Sequence, residues 1–237
     1  MSFIIIDHIT KRYGSGNSEV KALDGISLTI QSGEFVSIMG ESGAGKSTLL
    51  SVMGAMNTPS EGHYIVDDID VYGLRNEQQA DFRREYLGFV FQSFHLVPYL
   101  TVVENVMLPL TAMKLSSRQK EEMAVEAMQW VGLESKAKRL PSQISGGECE
   151  RVAVARAIVN NPPILLADEP TGNLDSRNTQ EVMSLLSRLN ASGTTVVMVT
   201  HSAACAAFAR RTIQVADGRL EIESDEQRTA TAAIKAA

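Results

Sequence analysis

The chain has 237 residues, 44% of them hydrophobic and 21% charged, with a formal net charge of −6. That length and balance suit one large domain, or a domain with a sub-lobe, and exclude collagen-like, mucin-like and wholly disordered chains. The acidic balance disfavours a free nucleic-acid-binding module, whose phosphate contacts need a basic face. The two cysteines, Cys149 and Cys205, are far apart and lack metal-ligand spacing, which reads as a reducing compartment rather than a disulfide scaffold. No apolar run approaches the roughly 18 residues of a membrane-crossing helix, and no basic stretch precedes a long apolar segment at the N-terminus. The chain therefore reads as soluble and cytoplasmic, which leaves room for work at a membrane through a partner.

In chain order, residues 3–6 and 22–30 predict strands around a polar turn at 14–17. Residues 34–39 form a short apolar strand that enters a glycine-rich loop at 40–45, with a helix expected from Lys46. Another short buried strand falls at 87–91. Residues 94–160 change character and read as helical. Ser116 with Gln119 fits a capping box, and Met123, Ala127, Met128 and Val131 then share one helical face. Residues 152–159 are apolar nearly all round, the mark of a buried helix, which Pro162-Pro163 breaks. Strand-like runs return at 164–167 and 195–200. Between them Val182, Leu185, Leu186 and Leu189 mark an amphipathic helix. Asp217-Gly218 reads as a turn joining strands at 212–215 and 220–223. Residues 224–237 are polar and alanine-rich and read as a flexible tail. Short buried strands alternating with helices predict an α/β fold, a parallel sheet covered on both faces, with an antiparallel part supplied by the early strands.

Gly40-Glu41-Ser42-Gly43-Ala44-Gly45-Lys46-Ser47 fits the phosphate-loop pattern GxxxxGK[ST] between a predicted strand and a predicted helix. Its glycines let backbone N–H groups turn inward toward phosphate oxygens, and the helix N-terminus adds positive potential. Lys46 is placed to reach the β- and γ-phosphates and Ser47 to ligate Mg²⁺. Glu41 is tolerable in such a cradle only if its side chain points to solvent. Ile164-Leu165-Leu166-Ala167-Asp168-Glu169 is an apolar strand that delivers two carboxylates at its C-terminal edge, where ligands bind in such sheets. Asp168 can hold Mg²⁺, and Glu169 can orient the attacking water or accept its proton.

Ser145-Gly146-Gly147-Glu148 opens the apolar helix and can form a second anion site. Taken alone it is an ordinary N-cap. His201 ends the strand at 195–200 and either donates to a γ-phosphate or is a satisfied polar group. Gln92 ends the strand at 87–91 and can touch Mg²⁺ and water, although a lone glutamine carries no signal. Tyr13 can stack on an adenine, though a half-buried loop tyrosine is the commoner case.

With these motifs in this order, the chain resembles the ATP-binding subunit of an ABC transporter over about residues 2–223. Asn173-Leu174-Asp175 completes the set. The stretch from Gly88 to Pro98 and Glu104-Asn105-Val106-Met107-Leu108-Pro109-Leu110 further resemble the lipoprotein-releasing, macrolide-exporting and cell-division branch. The resemblance implies a P-loop NTPase (RecA-like) core with an antiparallel β-subdomain and a helical subdomain at about 93–157, all within one domain spanning 1–223. It implies ATP and Mg²⁺, and a head-to-tail homodimer with each ATP between the phosphate loop of one subunit and Ser145-Gly146-Gly147 of the other. In it Tyr13, Gly40, Ser42, Gly43, Gly45, Lys46, Ser47, Thr48, Ser145, Gly146, Gly147, Glu148 and Asp175 contact nucleotide or the dimer interface. Glu169, His201 and Gln92 serve hydrolysis, and Ser47, Gln92 and Asp168 the metal. A separate transmembrane permease subunit is the implied partner, with this chain cytoplasmic and peripheral on the cytoplasmic face of the inner (plasma) membrane, and no nucleic acid is expected. Phe94, Leu96, Pro98 and Tyr99 either line a groove for that partner or pack the hinge between lobes.

The chain departs from the family pattern at Glu41, Glu148, Cys149, Glu150 and Ser202, none of which removes a phosphate, metal or water contact. Cys149 can make the helix start sensitive to oxidation. Two other function classes compete. A soluble ABC-type ATPase acting on DNA or ribosomes would carry a long coiled-coil insertion or two ATPase units in one chain. A small P-loop kinase would leave Ser145-Gly146-Gly147 and His201 unexplained.

Overall fold

A computed structural model describes residues 2–221. The two early strands are longer than their apolar runs: β1 (Ser2–Tyr13) pairs antiparallel with β2 (Val20–Gln31). Ile4, Ile6 and Ile9 of β1 are buried, and the inward face changes parity at a bulge where His8 takes φ 49°. Polar residues such as Asp7, Lys11 and Arg12 disguise the strand because one face of this sheet is solvated.

Next come β3 (Phe35–Met39), the glycine-rich loop and α1 (Lys46–Met53), as the sequence predicts. β4 (Glu61–Val66) and β5 (Ile69–Asp70) then complete a four-stranded antiparallel sheet in the order β2-β1-β4-β5. α2 (Asn76–Tyr86) leads into β6 (Leu87–Phe91). The sequence reading assigned nothing to residues 61–86. α2 buries only Phe82, so it has almost no apolar stripe to detect.

The helical stretch resolves into α3 (Val102–Met107), α4 (Ser117–Trp130) and α5 (Gly146–Ile158). Ser116 and Gln119 form the expected capping box at α4, and Ala127, Met128 and Val131 are buried. β7 (Ile164–Asp168), α6 (Ser176–Ala191) and β8 (Thr195–Val199) follow, then α7 (Ala203–Ala206). β9 (Arg211–Ala216) and β10 (Arg219–Leu220) turn at Asp217-Gly218. Residues 222 and 223 of the predicted last strand, and the predicted tail at 224–237, lie outside the described residues.

The second sheet has six strands in the order β10-β9-β3-β8-β7-β6, parallel except for β10. β7 and β8 are buried on both faces. Leu165, Ala167, Val196 and Met198 join the core shared with α3 to α6. Ile164, Leu166, Val197 and Val199 face the core shared with α1 and the antiparallel sheet. The apolar runs needed no alternation because neither face meets water. This arrangement brings the C-terminal ends of β3, β6, β7 and β8 to one edge.

Candidate functional site

Everything the sequence reading assigned to phosphate, metal and water chemistry, apart from the Ser145 segment, Tyr13 and Asp175, lies at that edge. The loop after β3 wraps the start of α1. Gly45 is the helix N-cap with φ 103°, and a Cβ there would collide with Ala22 O, so only glycine lets the loop close on α1. Lys46 is buried, its Nζ donating to Gly40 O at 2.8 Å and Glu41 O at 2.7 Å. The ammonium thus lies inside the curve of the loop, where it can exchange these carbonyls for phosphate oxygens. Glu41, Ser42 and Gly43 are exposed at the crown, so the Glu41 side chain meets water, as a phosphate cradle requires. Thr48 is half-buried in the first turn of α1.

Ser47 Oγ donates to Asp168 Oδ1 at 3.3 Å, joining the loop after β3 to the end of β7. Burial pushes the Asp168 carboxyl above the usual range, and Glu169 adds to this, while the Ser47 hydrogen bond and Lys46 oppose it. A cation at this point would hold Asp168 ionised. Two hard oxygens fit Mg²⁺, which keeps several waters and borrows ligands from phosphate. Among the described residues no group of three or more His, Cys, Asp or Glu could hold a metal by itself.

Glu169, the residue after β7, takes the left-handed conformation at φ 47°, its N–H donating to Val199 O at 3.0 Å. An L-residue held there costs on the order of 1 kcal/mol, so the surrounding structure imposes the geometry. Its Oε2 accepts from His201 Nδ1 at 2.6 Å, and because a carboxylate only accepts, Nδ1 carries the proton. Gln92 belongs to the same cluster. A Cβ added to Gly172 would lie 2.9 Å from Gln92 Nε2 and 3.4 Å from Glu169 Oε2, and Asn173 Nδ2 donates to Gln92 O at 3.0 Å. Four loops thus bring Lys46, Ser47, Gln92, Asp168, Glu169 and His201 together.

Tyr13 stands at the end of β1, 43% exposed, with its ring available for stacking. Ser145, Gly146, Gly147 and Glu148 form the first turn of α5 and a capping box: Ser145 Oγ accepts from Glu148 N at 3.3 Å, and Glu148 Oε2 accepts from Ser145 N at 2.8 Å. That backbone bond, with Lys136 beside it, holds the Glu148 carboxyl below the usual range. Gly147 is buried, and the side-chain amide of Asn178 packs so close to it that a Cβ there would collide. Asp175, the N-cap of α6, holds that amide by accepting from Asn178 N at 2.8 Å and Nδ2 at 2.7 Å. Among the described residues no hydrogen bond joins this cluster to the phosphate loop. Asn178 packs the start of α5 against the start of α6.

Sequence reasoning missed three features here. Asn178 carries no motif signal, yet it packs the start of α5 against α6. Arg156 donates to Phe94 O and His95 O, both at 2.6 Å, and so fixes the chain just after Gln92, where both residues have positive φ. Leu96 in the same segment packs against the helical core while Tyr99 is 79% exposed, so the hinge and groove readings divide between residues. Glu150 is 1% exposed, and its Oε1 has no hydrogen-bond partner. Burial pushes its carboxyl up to about 8, against a pull from Arg156. Cys149 does not fulfil its expected sensitivity to oxidation: the thiol is buried, and burial with Glu148 and Glu150 raises its pKa, which suppresses the reactive thiolate.

Comparison with known proteins agrees with this geometry. The sequence pattern of the family described as ABC transporter matches residues 23–172. The chain is 42% identical over 220 residues to the uncharacterized ABC transporter ATP-binding protein YvrO of Bacillus subtilis, covering 93% of this chain and 96% of that one. It is 42% identical over 227 residues to the macrolide export ATP-binding/permease protein MacB of Hyphomonas neptunium, but covers only 35% of that longer chain. The dimeric cassette MJ0796, from Methanocaldococcus jannaschii, superposes with a TM-score of 0.85 at 44% identity, over 92% of this chain and 96% of that one. MJ0796 has also been solved as a post-hydrolysis dimer bound to ADP and Pi. From the ordered motifs, the two-sheet fold and these matches, the chain is an ATP-binding cassette and belongs to the ABC transporter family.

Proposed function

We propose that this chain is the ATP-hydrolysing subunit of an ABC transporter, driving export or mechanotransmission by a separate membrane subunit. The observation that carries the reading is the convergence of Glu169, His201 and Gln92 on the phosphate loop through the Ser47–Asp168 contact. Residues 1–223 act as one ATP-binding domain with a helical subdomain at about 93–157, and the chain works at the cytoplasmic face of the inner membrane.

In this reading the loop amides from Gly40 to Thr48 and the Lys46 ammonium hold the phosphates of ATP. Ser47, Asp168 and Gln92 would hold Mg²⁺, which would supply positive charge to offset that of the phosphates. Tyr13 stacks on the adenine. Glu169 orients the attacking water and takes its proton. His201, held through Nδ1 by Glu169, contacts the γ-phosphate. Ser145, Gly146, Gly147 and Glu148 close over the γ-phosphate of a second copy, with Asp175 at the shared face, because a γ-phosphate held by one lobe still exposes oxygens that a second helix N-terminus can cover. ATP then draws two copies into a head-to-tail dimer, hydrolysis releases them, and the membrane subunit takes up the motion.

Lys46→Ala removes the buried ammonium and should weaken ATP binding at least about tenfold, with loss of phosphate release, since a charge-assisted contact to phosphate is worth roughly 1.5–3 kcal/mol. Calorimetric titration of ATP and a phosphate-release assay measure both. Turnover raised by the reconstituted membrane subunit supports the transporter reading. Stimulation by DNA or ribosomes instead would move the chain to the soluble class.

A further inference from the structure

Asn57 belongs to none of the motifs, yet it touches Tyr13, the exposed ring read as the base-stacking residue. Its Nδ2 donates to the Tyr13 hydroxyl and approaches Ser51 Oγ at 3.4 Å. Ser51 Oγ in turn donates to Thr48 O at 2.8 Å, in the helix that begins with Lys46. The Asn57 backbone is itself pinned. The Tyr72 hydroxyl reaches both Val52 O at 2.7 Å and Asn57 O at 3.0 Å, tying the turn after α1 to the helix. Ala55, in that turn, is buried in the left-handed conformation at φ 51°. Asn57 therefore projects from a fixed extension of α1.

The Tyr13 ring is held on one face as well. Lys11 Nζ lies 5.1 Å from the ring centroid and is anchored by donating to Thr58 O at 2.6 Å. A cation over one face of the ring is favourable in itself and leaves the other face for a planar ligand. Thr58 and Asn57 are neighbours, so one short turn sets both the hydroxyl and the cation.

We propose that Asn57 is a positioning residue that fixes the Tyr13 ring relative to the phosphate loop, so that a nucleobase and its triphosphate are gripped at a set spacing. The inference rests on the reading of Tyr13 as the base-stacking residue. Helix α1 carries the phosphate cradle at its N-terminus and, through Ser51 and Asn57, the base platform beyond its C-terminus. A ring without this tether keeps its stacking surface but loses its alignment, and the cost falls on ligands that have a base.

The test compares ATP with inorganic tripolyphosphate, each titrated calorimetrically with Mg²⁺ into the full chain. Asn57→Ala and Tyr13→Phe should each weaken ATP by about three- to tenfold, the range of one hydrogen bond, and the double variant should be no worse than either. Tripolyphosphate affinity should stay within about twofold in all three, which separates positioning from general damage to the site. Equal losses for ATP and tripolyphosphate, or an unchanged ATP affinity in Asn57→Ala, would overturn the proposal. Tyr13→Ala serves as the reference. If it weakens ATP while Asn57→Ala does not, base stacking stands and the tether is refuted. If Tyr13→Ala leaves ATP affinity unchanged, the base-stacking reading fails and takes the tether with it.

Discussion

Glu169→Gln should lower the rate of ATP hydrolysis by about 10² to 10⁴ while leaving ATP affinity within about threefold. The substitution keeps the size of the side chain and an acceptor oxygen for the hydrogen bond from His201 Nδ1. It removes the ability to accept a proton from water. The backbone at φ 47° and its hydrogen bond to Val199 O are undisturbed, so the loop keeps its place. In the proposed reading the phosphate contacts run through Lys46 and the loop amides and not through Glu169, which is why binding should survive. The expected loss corresponds to about 3–5 kcal/mol of transition-state stabilisation. Phosphate release at saturating ATP, read beside a binding titration, checks both halves. Near-normal turnover would remove Glu169 from the chemistry.

The second large effect is on stability. Glu150 is fully buried with one carboxylate oxygen unpartnered, and burial raises its carboxyl from the ordinary 4.5 to about 8. Below about pH 4.5 the group is protonated in both the folded and the unfolded chain. Between 4.5 and 8 the unfolded chain releases the proton and the folded chain retains it, so stability falls as pH rises through this window. At about 1.36 kcal/mol per pH unit the deficit reaches on the order of 3 kcal/mol by pH 7. Glu150→Gln removes the titration at nearly the same volume. It should stabilise the protein by about that amount at pH 7, with no gain near pH 4.5. Urea unfolding at several pH values reads the difference. A gain independent of pH would mean that the ionised carboxylate is not what costs stability.

Phosphate chemistry was legible because it is written in contiguous residues. Backbone amides of one loop make the cradle, so glycine spacing alone reveals Gly40 to Ser47, and the carboxylates of Asp168 and Glu169 follow their strand directly. The buried strands β3, β7 and β8 were equally plain, since burial on both faces leaves uninterrupted apolar runs. Segments with one solvated face were harder. β1 was foreshortened by its polar residues, and α2, with one buried side chain, gave no periodic signal. Contacts between elements distant in sequence left the least trace. Asn57, Asn178 and Arg156 each act on a partner more than thirty residues away, by a hydrogen bond or a close packing contact that no local pattern encodes. Glu150 shows the limit most clearly: the same residue type on an exposed turn of α5 would titrate normally, and only its surroundings make it costly.

The proposed sharing of each ATP between the phosphate loop of one copy and the Ser145 cluster of another makes dimer formation the claim to test. The most direct measurement is the solution mass of Glu169→Gln by light scattering with Mg²⁺ and either ATP or ADP. ATP should convert the protein to a dimer that retains one ATP per chain, and ADP should leave it monomeric. A variant that binds ATP at full stoichiometry yet stays monomeric would contradict the shared site.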